Sequence, residues 1–329
     1  MITDKDYLYL SAMLKARESN MLTRDRMERM LSGGFVEAAK LLPDCGYEDM
    51  SALDAKGVDK ALSAHRKRVF DELTRFVPEP AVVDAFRMKY DYHNAKVIVK
   101  AEGAGISGEH ILSDAGRKAP RAVQDAFIED DYRFVPAALG RALQEAKSVL
   151  ARTGNPQLAD FTVDQAYFAE MLKMSAELQS PFLGDYARTL IDSANLRTCV
   201  RTVRMGRDQD FLRGALIPGG SASPERLAQS AVSGDGVTAA FSAGPLREAA
   251  QLGTNAMKGG PMTAFELACD NALTAFLTRA KTIGFGSAAV VCYLAALEGE
   301  ITAVRMILTG LLSGLDPELV KERLRDTYA

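Results

Sequence analysis

The amino-acid sequence predicts an all-α protein. Alanine, the residue with the highest helix propensity, supplies about one in seven of the 329 residues. Runs of alternating polar and apolar residues, which are typical of strands, are scarce, whereas apolar residues recur at helical spacing. Because one hydrophobic core rarely serves more than ~250–300 residues, we expect two or three core-forming units.

The chain begins with a predicted helical hairpin. Thr3-Asp4 is a suitable N-cap, and the helical pattern continues to a turn at Ser32-Gly33-Gly34. The apolar residues that define the pattern are Tyr7, Leu10, Leu14 and Met21.

Two further helices are predicted before residue 80. The first is short and ends at Leu42, just before a proline. After an irregular stretch to Leu53, the second covers residues 58–76 and is ended by Pro78 and Pro80, because proline cannot continue a helix.

An internal repeat is visible in the two stretches YDYHNAKVIVK and IDSANLRTCVR, whose Asp residues stand 11 residues after Pro80 and Pro181. Each carries an Asp, an Asn and two bases at identical spacings. These residues are Asp91, Asn94, Lys96 and Lys100 in the first stretch and Asp192, Asn195, Arg197 and Arg201 in the second.

A third stretch, LEGEITAVR, is a looser match. Glu298 and Glu300 stand near the Asp and Asn positions and Arg305 near the last base, with a register that stays open by one residue. Each of the three stretches is followed by a similar helix start, in which an oxygen-bearing cap precedes Gly or Pro and then an acid. The starts are Ser107-Gly108-Glu109, Ser223-Pro224-Glu225 and Asp316-Pro317-Glu318.

These repeats predict three similar helical units, with approximate bounds of 1–119, 120–232 and 233–329. Three such units can surround a common axis as a funnel or collar, each burying its apolar face partly against the next. The second copy is interpreted as carrying a loop insertion that includes Ile217-Pro218-Gly219-Gly220. Gly/Ser-rich breaks are placed at residues 230–236 and around Gly259-Gly260-Pro261.

The repeated polar residues, here called the polar stripe, have two interpretations. They tie helices together through buried hydrogen bonds, or they line an inner surface and face a partner. The first is favoured, because buried polar groups in proteins are usually paired within the fold.

Charge and composition exclude several classes of partner. With 40 Lys and Arg against 43 Asp and Glu, the net charge of −3 supplies no basic field for nucleic acid or an anionic membrane. The four cysteines form no metal-binding or redox motif. The N-terminus lacks the features of a secretory signal, and the longest apolar run, residues 287–297, stops at Glu298. We therefore expect a cytoplasmic protein without direct membrane insertion.

No sequence motif predicts an enzyme. Gly103, Gly105 and Gly108 spell G-x-G-x-x-G, but the preceding residues 97–99 belong to the repeated helix, whereas a dinucleotide site needs a strand there. The basic run at residues 65–68 is followed at once by acids and is interpreted as a solvated helix face. His93 has no partners at metal-ligand spacing. No phosphate loop or nucleophile elbow occurs, so no catalytic residue, metal or cofactor is predicted.

Four segments, in order, resemble a known family. They are YLYLSAMLKARESNML with LLPDCGYEDM, RFVPEPAVVDAFRMKYDYHNAKVIVKAE, IDSANLRTCVR with LIPGG, and VVCYLAALEGEITAVRMILTGLLSGLDPELVKERL. Together they resemble the C subunit of bacterial and archaeal V/A-type rotary ATPases, a family that includes the d subunit of the eukaryotic vacuolar ATPase. Nothing in residues 136–160 or 230–260 carries the resemblance.

The resemblance implies a non-catalytic central-stalk subunit, present as one copy per complex. Its partners would be the proteolipid ring in the membrane and the central shaft, and it would transmit torque for ATP-driven ion transport or for ATP synthesis. Nucleotide and ion sites would belong to other subunits. Two alternatives remain open: a helical-repeat scaffold unrelated to rotary motors, and a small-molecule enzyme that uses the glycine motif.

Overall fold

A computed structural model describes residues 2–231 and 235–329. Helix accounts for 74% of the structure, and no strand occurs in these two ranges, which confirms the all-α fold class. Residues 232–234, within the Gly/Ser-rich break predicted at 230–236 and at the predicted boundary between the second and third units, lie outside the described residues.

The helices follow one another through short connections. The single turns of 3₁₀ helix that lie wholly within the described ranges are at Asp4–Tyr7, Leu42–Cys45, Glu109–Ile111 and Ala280–Thr282. The α-helices of the described ranges are α1 Leu8–Glu18, α2 Arg24–Ser32, α3 Gly34–Lys40, α4 Ala55–Phe76, α5 Ala81–Ala104, α6 Pro120–Glu129, α7 Ala137–Thr153, α8 Pro156–Glu177, α9 Pro181–Arg204, α10 Gln209–Ala215, α11 Pro224–Ser230, α12 Asp235–Ala240, α13 Arg247–Met257, α14 Met262–Arg279, α15 Ser287–Leu312 and α16 Pro317–Lys321.

The N-terminal helix differs from the expectation that it continues to residue 32. It ends at Glu18 and restarts at Arg24, where the Thr23 side chain accepts the Arg26 N–H as an N-cap. The break was not predicted because Met21 fits the helical spacing. It depends on the bond from the Leu22 N–H to a distant side chain, which the sequence of residues 19–23 does not indicate. The predicted capping of the first turn by Thr3 is confirmed.

The chain divides into two compact units. One contains residues Met1–Val83 and Asp270–Ala329, and the other contains Asp84–Cys269. The division into 1–119, 120–232 and 233–329 stays a prediction.

In the first unit, α15 is the central helix and packs against α1, α3 and α4. By length and composition it is the one helix of the described residues that could cross a bilayer, but 78% of its most apolar stretch is buried inside the protein. The helix also continues past Glu298, where the apolar run in the sequence ends. Glu298 and Glu300 lie within this helix and are both paired within the fold. These features are typical of the core helix of a globular unit.

In the second unit, α8 packs against α7 and α9, and α9 packs against α13. The α9 helix starts at Pro181, where the Ser180 side chain accepts the Leu183 N–H. Apolar side chains are buried on several sides of α9, and its exposed polar residues include Asp185, Arg188 and Arg201.

The glycine motif lies at the end of a helix. Residues 97–99 are in α5, Gly103 is in its last turn, and Gly105 adopts a left-handed φ of 64° just after it. The predicted helical connection is therefore confirmed. A strand-to-helix turn of the dinucleotide-binding kind does not form here, since no strand precedes the glycines.

Candidate functional site

Three long helices, α5, α9 and α15, end in the same hydrogen-bonded motif. A glycine with φ of 64–67° follows each helix, and the next N–H bonds to the carbonyl five residues back at 3.0–3.1 Å. This is the Schellman cap, which glycine adopts without steric cost. The bonds run from Ile106 to Ala101, from Arg207 to Thr202 and from Leu315 to Gly310, after Gly105, Gly206 and Gly314.

The three caps define a common register for the polar stripe. Counting back fourteen residues from each glycine reaches Asp91, Asp192 and Glu300. Counting back nine reaches Lys96, Arg197 and Arg305. The sequence pattern pairs Glu298 with the Asp position, whereas the caps place Glu300 there, so the third copy is shifted by two residues at this position. The alignment was misled because Glu298, which has no acidic counterpart in the other copies, resembled the Asp.

The acid of each copy accepts a backbone N–H from a loop. Asp91 accepts from Lys118 at 3.2 Å and Asp192 from Ser221 at 2.8 Å, both from a loop that follows the helix. Glu300 accepts from Leu22 at 2.6 Å, so the loop of the third copy comes from the N-terminal segment of the chain. All three carboxylates are buried. Each one satisfies a backbone N–H of the loop that would otherwise need a water molecule as its hydrogen-bond acceptor.

In the first two copies, an asparagine side chain forms further hydrogen bonds to the same loop that the acid binds. Asn94 donates to the Ser113 carbonyl and accepts the Ser113 N–H, both at 2.8 Å. Asn195 makes the same two bonds with Ile217, again at 2.8 Å. In the third copy the equivalent residue is Ala303, so Glu300 works without an amide.

These bonds also correct the alignment of the loops. Ser113 precedes Gly116 by three residues, as Ile217 precedes Gly220, so residues 217–220 are the counterpart of 113–116 and are no insertion. The extra three residues of the second copy lie earlier, where α10 replaces a single 3₁₀ turn. The predicted caps Ser223 and Asp316 are confirmed. The counterpart of the α11 start is Pro120, four residues after Gly116, rather than Ser107-Gly108-Glu109.

Both loops need glycine because a carboxylate lies against their backbone. A Cβ at Gly116 would lie 2.3 Å from Oδ1 of Asp91, and a Cβ at Gly220 would lie 2.3 Å from Oδ1 of Asp192. The sequence offered this signal as Leu-x-x-x-Gly at Leu112 and Leu216, but the pattern is too short to be recognised without the structure.

The bases of the polar stripe form ion pairs with acids on other helices. The first base of each copy pairs at 2.6–2.7 Å: Lys96 with Asp164 of α8, Arg197 with Glu266 of α14, and Arg305 with Asp59 of α4. The second bases, Lys100 and Arg201, pair with Asp160 and Glu266. In the third copy, Thr309 takes this position, and Glu298 pairs instead with Arg66 of α4 at 2.8 Å.

The acidic partners were missed by the sequence analysis. Asp59, Asp164 and Glu266 lie on helices whose sequences do not resemble one another, so no spacing connects them to the bases. Arg117 was also missed. It bridges Asp91 at 2.6 Å and Glu170 at 2.7 Å, and Tyr92 donates to the same Glu170.

Burial and pairing shift the pKa values of these carboxyl groups in opposite directions. Burial raises the pKa of Asp91, Asp192 and Glu300, although the hydrogen bonds that each accepts oppose the shift. At Glu266, burial also raises the pKa, but the hydrogen bonds from Arg197 and Arg201 outweigh it and the net pKa is lowered. Glu266 is thus held as a carboxylate between two guanidinium groups.

The polar stripe is suited to holding helices and loops in register, since its acids and bases are already paired. In residues 2–231 and 235–329, no group of His, Cys, Asp and Glu has the arrangement of a metal site. A surface cleft of about 680 Å³ lies beside the glycine motif and is lined mainly by apolar residues such as Val97, Ile106 and Leu150. Lys100 and Arg201 remain about half exposed, with 47% and 58% of their side chains accessible.

Comparison with known proteins identifies a family for the chain. The family described as ATP synthase (C/AC39) subunit matches residues 10–323. The V-type sodium ATPase C subunit of Enterococcus hirae is 25% identical, over 98% of this chain and 99% of its own length. The V-type ATP synthase C subunit of Thermus thermophilus is 25% identical over 64% of this chain and 68% of its own. The A-type ATP synthase C subunit of Methanocaldococcus jannaschii is 23% identical over 97% and 86%. The chain therefore belongs to the ATP synthase (C/AC39) subunit family, that of the V-type and A-type ATPase C subunits.

Proposed function

We propose that this protein is a non-catalytic central-stalk subunit of a V/A-type rotary ATPase, forming a socket that links the rotor shaft to the membrane ring. The observation that carries the proposal is the family match over residues 10–323. The relatives named above are C subunits of an ATPase and of ATP synthases, and two of them align over nearly the whole chain. Nucleotide hydrolysis and ion binding then belong to other subunits.

The proposal includes three similar helical units around a pseudo-threefold axis. The equivalent caps after α5, α9 and α15, and the equivalent acids and bases on these helices, support it. A socket that transmits torque has to resist deformation, and closely packed helices have low compressibility. Loops held by side chains of the long helices add to this stiffness, because each bond fixes backbone that would otherwise move independently.

The polar stripe has a structural role in this proposal, and its exposed ends have a second one. Lys100 and Arg201 keep about half of their surface exposed while paired, so each guanidinium or ammonium group is available to an acidic neighbour. Contacts of this kind are reversible and weaken with salt. We assign to them a part of the contact with shaft or ring. The protein would then be cytoplasmic and peripheral, held at the membrane through its complex as one copy.

Co-purification tests the proposal. An affinity-tagged copy of the chain, expressed in its own host, is recovered from membranes solubilised in mild detergent. We expect ring, shaft and catalytic subunits to accompany it in fixed proportion, with one tagged copy per complex. Recovery of the chain from the soluble fraction with unrelated proteins would favour a helical scaffold instead.

A further inference from the structure

The first base of each long helix forms an ion pair with an acid on the first helix of another repeat. Along the chain the repeats are α4 and α5, α8 and α9, and α14 and α15. Lys96 of α5 pairs with Asp164 of α8, Arg197 of α9 with Glu266 of α14, and Arg305 of α15 with Asp59 of α4. Every repeat thus gives one base and one acid, at distances that agree within 0.1 Å.

We infer that these three ion pairs are equivalent clasps, which prevent neighbouring helices from sliding along one another when the protein transmits torque. The inference rests on the proposed function. Apolar packing resists separation of two helices, but it is non-directional and resists sliding less. A hydrogen-bonded ion pair is directional, and a slip of one helical turn, about 5.4 Å, would break it.

A second ion pair accompanies each clasp. Lys100 pairs with Asp160 four residues from the first pair on both helices, and Glu298 pairs with Arg66 seven residues away on both. Arg201 reaches the same Glu266 as Arg197. In the first and third copies the two bonds lie at different heights on both helices and so also oppose rotation of one helix about the contact, which one bond alone does not.

The clasps differ from ordinary stabilising contacts in where their effect would be visible. The side chains of Lys96 and Asp164 are 29% and 38% exposed, and partly solvated pairs contribute little to global stability. Removal of this pair and of the more exposed Arg305–Asp59 pair should therefore cost little stability, and the less exposed Arg197–Glu266 pair should account for most of any loss. Removal of all three should increase local motion between α5 and α8, between α9 and α14 and between α15 and α4, and reduce coupling under load.

The test uses the whole rotary complex with this chain replaced by a triple variant, Lys96→Met, Arg197→Met and Arg305→Met. The matched control is Lys173→Met, Arg188→Met and Arg213→Met, which removes three bases that pair within their own helices. Ions transported per ATP are measured without and with an opposing ion gradient. We expect the triple variant to assemble normally. Its number of ions transported per ATP should fall at least twofold when the opposing gradient is present and stay unchanged without it, while the control matches the wild type in both conditions.

Two further measurements keep the outcomes distinct. Hydrogen exchange of the triple variant should accelerate in α5, α9 and α15 by more than its loss of global stability accounts for. Exchanging the charges, as Lys96→Asp with Asp164→Lys and Arg305→Asp with Asp59→Arg while Arg197 is retained, should restore coupling. If the number of ions per ATP stays unchanged under the opposing gradient, or falls equally in the control, the three ion pairs do not act as clasps. Absence of the wild-type chain from the complex would instead overturn the proposed function.

Discussion

Glu300 accepts the N–H of Leu22 at 2.6 Å across 278 residues of sequence. Its other carboxylate oxygen accepts the Tyr47 hydroxyl at 2.7 Å. One buried side chain of α15 thus holds two N-terminal loops. In the other two copies the acid holds a loop that follows its own helix, and an asparagine assists it. The third copy of the repeat is therefore completed by the start of the chain.

Removing the Glu300 side chain should destabilise the protein. Glu300→Ala leaves the Leu22 N–H and the Tyr47 hydroxyl without their acceptor, and a buried unsatisfied group costs about 1–3 kcal/mol. Urea unfolding of the purified chain measures the loss. An unfolding free energy equal to that of the wild type would show that the bond contributes nothing.

Glu300→Gln should behave differently, because burial raises the pKa of Glu300. A carboxyl whose folded pKa lies above its unfolded pKa gives stability at low pH that is lost as the pH rises through the folded value. Gln keeps an acceptor for Leu22 and carries no charge. We expect the stability of the variant, relative to the wild type, to increase between pH 5 and pH 8. Parallel pH profiles would contradict the assignment.

The two asparagines should be equally important. Asn94→Ala and Asn195→Ala each remove an acceptor and a donor from one loop residue, at a cost of roughly 2–4 kcal/mol if both backbone groups stay unsatisfied. At pH 4, where the buried carboxyl is more readily protonated than at pH 7, Asn195→Asp keeps the acceptor for the Ile217 N–H and should lose less stability than Asn195→Ala. Thermal unfolding measures each variant. Unequal losses for the two alanine variants would show that the copies are not energetically equivalent.

Alanine should be tolerated at some glycines and not at others. Gly116→Ala and Gly220→Ala place a Cβ against a buried carboxylate oxygen and should cost about 1–3 kcal/mol through overpacking. The control is Gly214→Ala in α10, where a Cβ meets nothing within 4 Å and the gain in helix propensity is up to about 1 kcal/mol. Denaturation midpoints rank the three. A Gly220→Ala protein as stable as the control would refute the close approach.

Charge reversal separates the two roles of the polar stripe. Arg197→Glu places an acid against Glu266 in a site where Arg197 is only 19% exposed, so the isolated subunit should lose roughly 1–3 kcal/mol. Arg201→Glu, at an exposed position, should lose less than about 1 kcal/mol but weaken assembly if it faces a partner. Circular dichroism reports the first effect and co-purification the second. Normal assembly of Arg201→Glu would exclude the partner contact at this residue.

Acid should also weaken the contact at Glu266. Its pKa is lowered by hydrogen bonds from Arg197 and Arg201, so its stabilisation is present above the unfolded pKa and is lost as the pH falls through the folded value. Glu266→Gln should therefore be less stable than the wild type at pH 7, with the difference shrinking below about pH 4. Unfolding curves at pH 3, 5 and 7 follow this difference. A gap that stays constant with pH would contradict the shift.

The glycine motif should bind neither NAD nor ATP. Gly105 caps the C-terminal end of α5, where the helix dipole is negative, whereas phosphate sites use the positive N-terminal end. Titration calorimetry with each nucleotide should show no binding at micromolar concentration. A dissociation constant in that range would instead favour the enzyme interpretation and place the ligand in the adjacent cleft.

Much of the local structure was predictable from residues close together in sequence. The all-α class follows from composition and periodicity, and the starts of α11 and α16 follow from capping residues next to prolines. The equivalence of the first two copies of the polar stripe also followed from spacing alone. These features depend on contacts within one or two helical turns, which the local sequence specifies.

Which residues those polar groups meet was decided by the tertiary structure. Asp59, Asp164 and Glu266 are separated from their bases by 246, 68 and 69 residues, and no local pattern connects them. The break after α1 and the register of the third copy depend on Glu300 reaching Leu22. Local sequence patterns were enough to predict that helices form and that three of them carry a polar stripe. Packing chose the partners, because a buried donor or acceptor is satisfied by whichever group the fold brings within hydrogen-bonding distance.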